Sequence, residues 1–255
     1  MLTLLAPRDG PIPFKGRADF PSIPAYSILN YIYFFNPNMK VINLGDRSSV
    51  INSFMAQLRN VEKQGQRTLF RRNLERIARC MAYEVSRTLD YSEKEVTTPL
   101  GVKAVPTYDD PIVVGTVLRA GLAFHEGFLD TFDQADSGFV AAYREEHKGE
   151  ELKIHVEYIA APDLTDCTFL MVDPMLATGG SLELAYKAFL THGTPKKLHI
   201  CCVIAAQQGI DHLCKVFPSD EVTLWVAGID PELNEDSYIV PGLGDAGDLS
   251  FGPKL

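Results

Sequence analysis

The chain has 255 residues, 46% hydrophobic and 22% charged, which is the composition of an ordinary globular protein with room for a core. Its formal net charge of −9 disfavours general affinity for nucleic acid or for an anionic membrane, because such surfaces are bound by basic patches. The five cysteines show no Cys-x-x-Cys spacing, which argues against a disulfide framework or a zinc ribbon and fits a reducing cytoplasm.

Residues 1–38 differ in composition from the rest of the chain. They carry six of the sixteen prolines, and residues 26–35 form an aromatic-rich, nearly uncharged run. This run is too short for a membrane helix, which takes about 20 apolar residues, and no basic region marks a secretory signal. We expect residues 1–38 to be a disordered N-terminal extension and residues 39–255 to form the functional domain. A translation start at Met39 and a partner-binding arm are the alternatives.

Hydrophobic periodicity predicts the first helix and the strands. The helix spans residues 68–88, and its apolar face carries Phe70, Leu74, Ile77, Met81 and Val85. The arginines on its other faces are most simply a solvated surface, with contact to an anionic effector as the alternative. Short apolar runs without charge predict buried strands at residues 112–118, 138–143, 168–172, 198–204 and 222–227.

Helical patterns separate these strands, and together they predict the fold class. One helix carries Leu122, Phe128 and Phe132, and another carries Ile210, Leu213 and Phe217. A half-buried strand, expected to pair with its neighbour as a β-hairpin, has alternating Leu152, Ile154, Val156 and Tyr158. The alternation predicts an α/β fold with a mostly parallel sheet flanked by helices. We expect the β-hairpin and the C-terminal loop to cover the site.

The strand at residues 168–172 leads through a glycine turn into a helix. The helix has one apolar stripe, closed by a Gly and a Pro, with Leu182, Ala185, Tyr186, Phe189 and Leu190. Gly179 and Gly180 let the backbone turn sharply, so that several N–H groups and the positive end of the helix dipole point at one spot. Thr178 and Ser181 add hydroxyls, and Asp173 can accept from sugar hydroxyls. The pattern predicts a phosphate site, and a turn that binds nothing is the alternative.

Arg119 marks a second candidate position. It follows the strand at residues 112–118 and precedes a helix. Ligands of α/β sheets bind at the carboxyl ends of the strands, so an arginine here points at the ligand edge. An exposed loop arginine is the alternative.

The C-terminal segment contains a misleading motif. Gly242, Gly244 and Gly247 satisfy Gly-x-Gly-x-x-Gly. A dinucleotide fingerprint also needs a following helix and a βαβ unit with an acidic residue about 20 positions on. Only residues 248–255 follow, so we reject a dinucleotide site here, and a flexible coil is the alternative to a binding loop.

Four stretches resemble, in chain order, motifs of the uracil phosphoribosyltransferase family. They are Leu-Arg-Ala-Gly-Leu at 118–122, Tyr-Arg at 143–144, Val-Asp-Pro-Met-Leu-Ala-Thr-Gly-Gly-Ser at 172–181 and Tyr-Ile-Val-Pro-Gly-Leu-Gly-Asp-Ala-Gly-Asp at 238–248. The resemblance covers residues 68–252. Two departures are Thr116, where the family usually has proline, and His125-Glu126, which replaces an apolar residue and Asp.

The resemblance implies a pentosyltransferase, a glycosyltransferase that converts uracil and 5-phosphoribosyl 1-pyrophosphate (PRPP) to UMP and pyrophosphate in pyrimidine salvage. The implied catalytic residues are Arg119, Asp173 and Asp245. The implied PRPP contacts are Arg119, Arg144, Asp173, Pro174, Met175, Leu176, Ala177, Thr178, Gly179, Gly180, Ser181 and Asp245. The implied uracil contacts are Ile239, Gly244, Asp245 and Ala246, largely through backbone groups.

Cofactor and partners follow from the same resemblance. It implies Mg²⁺ bound mainly through the pyrophosphate of PRPP, and the histidines show no metal-ligand spacing, so we expect no metal site built from protein side chains. It also implies a homodimer or higher homo-oligomer, in some members with a nucleotide effector. The alternatives are a purine or orotate phosphoribosyltransferase, a non-catalytic ligand-binding or regulatory relative, and an RNA-binding pyrimidine regulator, which the net charge of −9 disfavours.

Overall fold

The computed structural model describes residues 39–145, 153–217 and 222–254, and the expected N-terminal extension lies outside these ranges. Seven helices occur within them: α1 (Val50–Arg59), α2 (Val61–Gln64), α3 (Arg67–Ser86), α4 (Leu122–Leu129), α5 (Gly180–Phe189), α6 (Gln207–Val216) and α7 (Ala246–Phe251). The longer strands are β1 (Lys40–Asn43), β2 (Tyr91–Thr98), β3 (Gly101–Tyr108), β4 (Ile112–Leu118), β5 (Asp136–Glu145), β6 (Lys153–Ala160), β7 (Thr168–Leu176), β8 (Lys197–Ala206) and β9 (Val222–Val226). Three two-residue strands follow: β10 (Ile229–Asp230), β11 (Glu232–Leu233) and β12 (Ile239–Val240).

The central sheet has the strand order β1-β9-β8-β7-β4-β5-β6, with β10 pairing beside β8. Each adjacent pair runs parallel except β5 and β6, which are antiparallel. Helices connect the parallel strands because a parallel crossover needs a long connection. The predicted α/β fold with a mostly parallel sheet flanked by helices is confirmed.

The core lies where the apolar strands meet the helices. The five predicted apolar positions of α3 are all buried, and β7, β8 and β9 are buried along almost their whole length. These strands carry apolar residues on both faces because helices cover both sides of a parallel sheet. Within the described ranges, no helix has both the length and the apolar character that a bilayer span demands.

The strand β6 pairs antiparallel with β5, as predicted, but the predicted alternation is wrong at Tyr158. The Tyr158 side chain is 56% exposed, whereas the neighbouring Ile159 packs on the core. The register shifts at this point, because Ala141 pairs with Tyr158 and Ala142 pairs with Val156. Glu157 is therefore the extra residue of a β-bulge, which moves the following side chains to the opposite face.

The sequence patterns did not reveal β1, α1 or the hairpin formed by β2 and β3. Every residue of β2 is exposed. The hairpin forms its own two-stranded sheet, in which Tyr91 pairs with Tyr108 and Thr98 with Gly101. Its base is held by edge-to-face ring contacts of Tyr108 with Tyr91 and with Phe132, at centroid distances of 6.4 and 6.0 Å.

Candidate active site

The carboxyl ends of β4 and β7 open onto a cleft of about 1040 Å³. Parallel strands place their carboxyl ends at one edge of the sheet, and residues that follow different strands therefore meet there. Three stretches that lie far apart in the sequence line this cleft, and the predicted residues among them are Arg119, Asp173, Met175, Leu176, Ala177, Thr178, Gly179, Ser181, Asp245 and Ala246.

The phosphate turn is shorter than predicted. Strand β7 continues through Leu176, so that Pro174 and Leu176 are buried while Asp173 and Met175, on the alternate face, are half-buried. The turn itself consists of residues 177–179, and α5 begins at Gly180. Pro174 and Gly180 lie within these two elements and do not line the cleft. The N–H groups of the first turn of α5 therefore face the cleft, as an anion site requires.

Gly179 makes this turn feasible. Its φ is +88°, a left-handed conformation that side chains rarely adopt. A Cβ at this position would also lie 2.8 Å from Cδ2 of His212. The turn is thus packed directly against α6, and only glycine satisfies both conditions.

The helix α6 supports the turn from behind. His212 Nε2 lies 2.8 Å from Oε2 of Glu183, and the Glu183 amide donates to the carbonyl of Gly179 over 3.0 Å. Hydrogen bonds from Lys187 and then from His212 lower the pKa of Glu183, so this carboxylate is charged at neutral pH. These contacts join α5, α6 and the turn into one unit.

Arg119 lies at the cleft between β4 and α4, and the peptide bond that joins it to Leu118 is cis. Its Nη2 donates to Oδ1 of Asp248 over 3.1 Å and to the carbonyl of Gly252 over 3.2 Å. The guanidinium is therefore tied to the C-terminal segment while 38% of its side chain remains exposed. Sequence reasoning had found Arg119 but not its partner Asp248.

Arg144 is placed by its backbone alone. It pairs with Ile154 near the end of β5, three residues beyond Ala141, which pairs with Leu118 at the end of β4. Arg144 therefore lies at the same edge of the sheet as Arg119. The tip of the predicted hairpin, residues 146–152, lies outside the described residues.

The predicted base loop follows a small ribbon in which Ile239 pairs with Leu233. Ile239 is buried, and Gly244, with φ of +89°, is exposed. Asp245 caps α7, because its Oδ1 accepts from the amide of Asp248 over 2.9 Å. Asp245 and Ala246 line the cleft, whereas Ile239 and Gly244 lie beside it.

Ten residues that line the cleft are not among the predicted site residues: Val117, Leu118, Ala120, Leu182, Glu235, Asp236, Ser237, Tyr238, Gly247 and Lys254. Four of them form the turn before the base loop, which Asn234 organises by accepting at Oδ1 from the amides of Asp236 and Tyr238, over 3.1 and 2.8 Å. The Asn234 side chain is the available signal, since asparagine commonly initiates such turns.

The amino-acid sequence matches one family of known proteins over most of its length. The sequence model of uracil phosphoribosyltransferase matches residues 46–253. The chain is 51% identical over 217 residues to the uracil phosphoribosyltransferase of Porphyromonas gingivalis, an alignment that covers 85% of this chain and 100% of that protein. This chain belongs to the uracil phosphoribosyltransferase family.

Other family relatives and a solved structure agree. The uracil phosphoribosyltransferase of Thermococcus gammatolerans is 39% identical over 211 residues, covering 82% of this chain and 92% of that protein. The AQ2163 protein from Aquifex aeolicus superposes with a TM-score of 0.75 at 33% identity, over 83% of this chain and 98% of that one. The family match begins at residue 46, whereas the motifs were recognised only from residue 68, so α1 and α2 also belong to the family domain.

Proposed function

We propose that this chain transfers the phosphoribosyl group of PRPP to uracil and releases UMP and pyrophosphate. The observation that carries the proposal is the meeting of the phosphate turn, Arg119 and the Asp245 segment at one cleft. These three parts match the three parts of the reaction, since phosphate, leaving pyrophosphate and base must be held together. The names of the family relatives support the same reaction.

The phosphate turn and two arginines form the PRPP half of the proposed site. The N–H groups of residues 177–181, with the hydroxyls of Thr178 and Ser181, suit phosphate oxygens. Arg119 and Arg144 follow neighbouring strands and suit the pyrophosphate, because a guanidinium binds phosphate through a planar fork. Asp173 suits the ribose hydroxyls, and its Oδ1 also accepts from the amide of Met175 over 3.0 Å.

Mg²⁺ belongs to this half of the site. Among the described residues, no three His, Cys, Asp or Glu side chains come together as metal ligands. Asp173 lines the cleft at the end of the strand that leads into the phosphate turn, and one carboxylate with substrate phosphates is a donor set that Mg²⁺ commonly accepts. Mg²⁺ bound mainly to the pyrophosphate of PRPP would supply positive charge against the charge that gathers on the leaving group, and Asp173 would be its protein ligand.

The base half of the proposed site uses backbone groups around Ile239, Gly244 and Ala246. Uracil presents one N–H donor between two carbonyl acceptors, and fixed backbone groups can supply the complement. Asp245 is oriented by its cap bond to the Asp248 amide, which leaves its second carboxylate oxygen available toward PRPP or the base. Asp245 or solvent takes the uracil proton.

The reaction passes through a transition state that resembles an oxocarbenium ion, positive on ribose while pyrophosphate becomes more negative. Arg119 and Arg144 oppose the second charge, and a fixed donor of this kind contributes about 3 to 4 kcal/mol to transition-state stabilisation. A leaving group as good as pyrophosphate needs no general acid. The catalytic work of the chain is therefore to hold both substrates in line and to stabilise the departing charge.

The test is conversion of labelled uracil to UMP by the purified chain with PRPP and Mg²⁺. Arg119→Ala and Arg144→Ala are expected to lower kcat/KM at least tenfold with the fold preserved. Arg79→Ala is the matched control, because Arg79 pairs with Asp130 away from the cleft. Faster use of hypoxanthine or orotate than of uracil would overturn the assignment. Tight uracil binding without turnover would instead indicate a non-catalytic family member.

Self-association is part of the proposal and is supported by the β2–β3 hairpin. Two strands alone are marginally stable in water, yet this hairpin exposes the side chains of Val96, Leu100, Val102 and Val105. A second copy of the chain is the partner that the family implies, and it would cover these apolar groups.

All five cysteines are free thiols, which supports a reducing, cytoplasmic location.

A further inference from the structure

The base loop is held by residues that belong to none of the four motifs. Arg59, the last residue of α1, donates from Nη1 to Oδ2 of Asp230 over 2.7 Å and from Nη2 to Oδ1 over 2.8 Å. The same Nη1 also donates to the carbonyl of Gly242 over 2.9 Å. In return, the Gly242 amide donates to Oδ2 of Asp230 over 2.7 Å. Both backbone polar groups of Gly242 are therefore engaged by a single, two-pronged ion pair.

A neighbouring side chain secures the next residue of the loop. Gln64, at the end of α2, donates from Nε2 to the carbonyls of Leu58 and Leu243, both over 3.0 Å. Residues 242 and 243 are thus bound to the first two helices by hydrogen bonds that Arg59 and Gln64 donate, and to β10 by the hydrogen bond that Asp230 accepts. Only glycine fits at position 242, because its φ is +61° and a Cβ would lie 1.9 Å from the carbonyl oxygen of Ile239.

The environment keeps this ion pair intact. The Asp230 side chain is only 7% exposed and the Arg59 side chain 28%. Burial alone would raise the pKa of Asp230, but the hydrogen bonds from Arg59 and from the Gly242 amide outweigh it and hold the pKa below its usual value. Asp230 is therefore charged at neutral pH and the pair persists there.

The Arg59–Asp230 pair can affect uracil binding because it holds Gly242, which lies within the base loop. Gly242 lies between Ile239 and Gly244, two of the proposed backbone contacts to uracil. Recognition through backbone groups depends on their being held within about 0.5 Å of the productive geometry. Neither Arg59 nor Asp230 lines the cleft, so any effect on uracil must pass through the loop.

We propose that Arg59 and Asp230 are positioning residues for uracil, which fix the base loop by binding both backbone polar groups of Gly242. This inference rests on the proposed function, because it takes the loop around Gly244 as the base site. It assigns to α1, which carries none of the four motifs, a part in base binding. Lysine can replace Arg59 only in part, since an ammonium on a flexible stem keeps the charge but cannot reproduce three hydrogen bonds from one planar group.

The experiment compares Arg59→Gln, Arg59→Lys and Asp230→Asn with the unaltered full chain in steady-state kinetics. The KM for uracil is expected to rise at least tenfold in Arg59→Gln and Asp230→Asn, with the KM for PRPP changing less than twofold. Arg59→Lys is expected to recover only part of the loss. Arg79→Gln removes another arginine–carboxylate pair, remote from the loop, and is expected to leave both constants unchanged.

A second measurement does not depend on activity. Hydrogen exchange of the Gly242 and Leu243 amides is expected to accelerate in Asp230→Asn, while exchange in β7 and β8 keeps its rate. An unchanged uracil KM in the folded variants would overturn the inference. So would an equal rise in both KM values, because the pair would then act on the whole site and not on the base loop.

One further variant separates this inference from the proposed function. Gly244→Ala strains a residue with φ of +89° within the loop itself, and its Cβ would meet Leu249 Cδ1 only at 3.5 Å. A raised uracil KM in Gly244→Ala without any change in the Arg59 variants would remove the positioning role alone. An unchanged uracil KM in both Gly244→Ala and the Arg59 variants would show that uracil binds elsewhere, and it would refute the proposed base site.

Discussion

Gly209→Ala tests whether the phosphate turn depends on its support from α6. Gly209 lies in the first turn of α6, where a Cβ would be 2.3 Å from the carbonyl oxygen of Ala177 and 3.0 Å from Cγ of Leu176. The shorter contact is with a backbone atom of the turn, so rotation of a side chain cannot relieve it. The turn and the helix must separate by about 1 Å to restore ordinary contact distances.

Two opposing terms determine the stability of this variant. Alanine favours a helix over glycine by about 1 kcal/mol, whereas overpacking costs about 1 to 3 kcal/mol. The net change is therefore small, and we expect a melting temperature within a few degrees of the unaltered protein. Catalysis responds more strongly, because a displacement of about 1 Å in a binding group can cost about 10²-fold.

The assay is kcat/KM for PRPP at saturating uracil, which is expected to fall about 10- to 100-fold in Gly209→Ala. The control is Gly65→Ala, where a Cβ would meet nothing within 4 Å and φ is −65°. That change is expected to stabilise the protein by about 0.4 to 1 kcal/mol and to leave the kinetics unaltered. An unchanged kcat/KM for PRPP in folded Gly209→Ala, or a loss confined to uracil, would refute the coupling of α6 to PRPP binding.

Three further predictions concern acid stability, assembly and base choice. Burial lowers the pKa of His199 to about 4, from an ordinary 6.5, so the unfolded chain takes up the proton first as the pH falls. Stability should drop by about 3 kcal/mol between pH 6.5 and 4 for this reason, and His199→Gln should flatten that part of a denaturation-against-pH curve; an unaltered slope would count against a neutral buried histidine. Leu100→Glu with Val102→Glu should convert the oligomer to monomers in analytical ultracentrifugation, and an unchanged mass would exclude the hairpin as the interface. Uracil and 5-fluorouracil should be used, whereas cytosine should be rejected by about 10⁴-fold in kcat/KM, because it reverses a donor and an acceptor at the pairing edge; comparable rates for cytosine would contradict backbone recognition.

The parts of the fold that were predictable are those whose pattern is local. Strand β4 has the predicted bounds, and α3 begins and ends within two residues of the prediction, because an apolar run or stripe is written in consecutive residues. The meeting of Arg119 with the phosphate turn was predictable too, since parallel strands bring their carboxyl ends to one edge. The site could thus be outlined before its geometry was known.

The parts that were missed depend on contacts between distant residues. Arg59 and Asp230 are separated by 171 positions, and nothing in either local sequence indicates the other. In the part of the chain that the structure describes, the β2–β3 hairpin has no buried face, and its strands lack the alternation that marks a strand packed on a core.

The two departures from the family pattern, at Thr116 and at His125, are buried residues that do not line the cleft. Thr116 is fully buried, and its Oγ1 donates to the carbonyl of Val172 over 2.8 Å, directly before Asp173. A Cβ on Gly121 would lie 1.9 Å from the same Oγ1, so Thr116 also fixes the backbone that follows Arg119.

His125 is likewise buried. Its Nε2 lies 3.3 Å from the Val114 carbonyl and its ring 5.0 Å from that of Phe139. Burial lowers the pKa of His125, against a smaller opposing effect of the Val114 carbonyl, so the ring is neutral at pH 7 and takes the place of an apolar side chain without adding charge. Neither residue lines the cleft. Thr116 joins β4 to β7 and His125 packs in the core as a neutral ring, so both departures lie in the support of the proposed PRPP site and not among the residues that line the cleft.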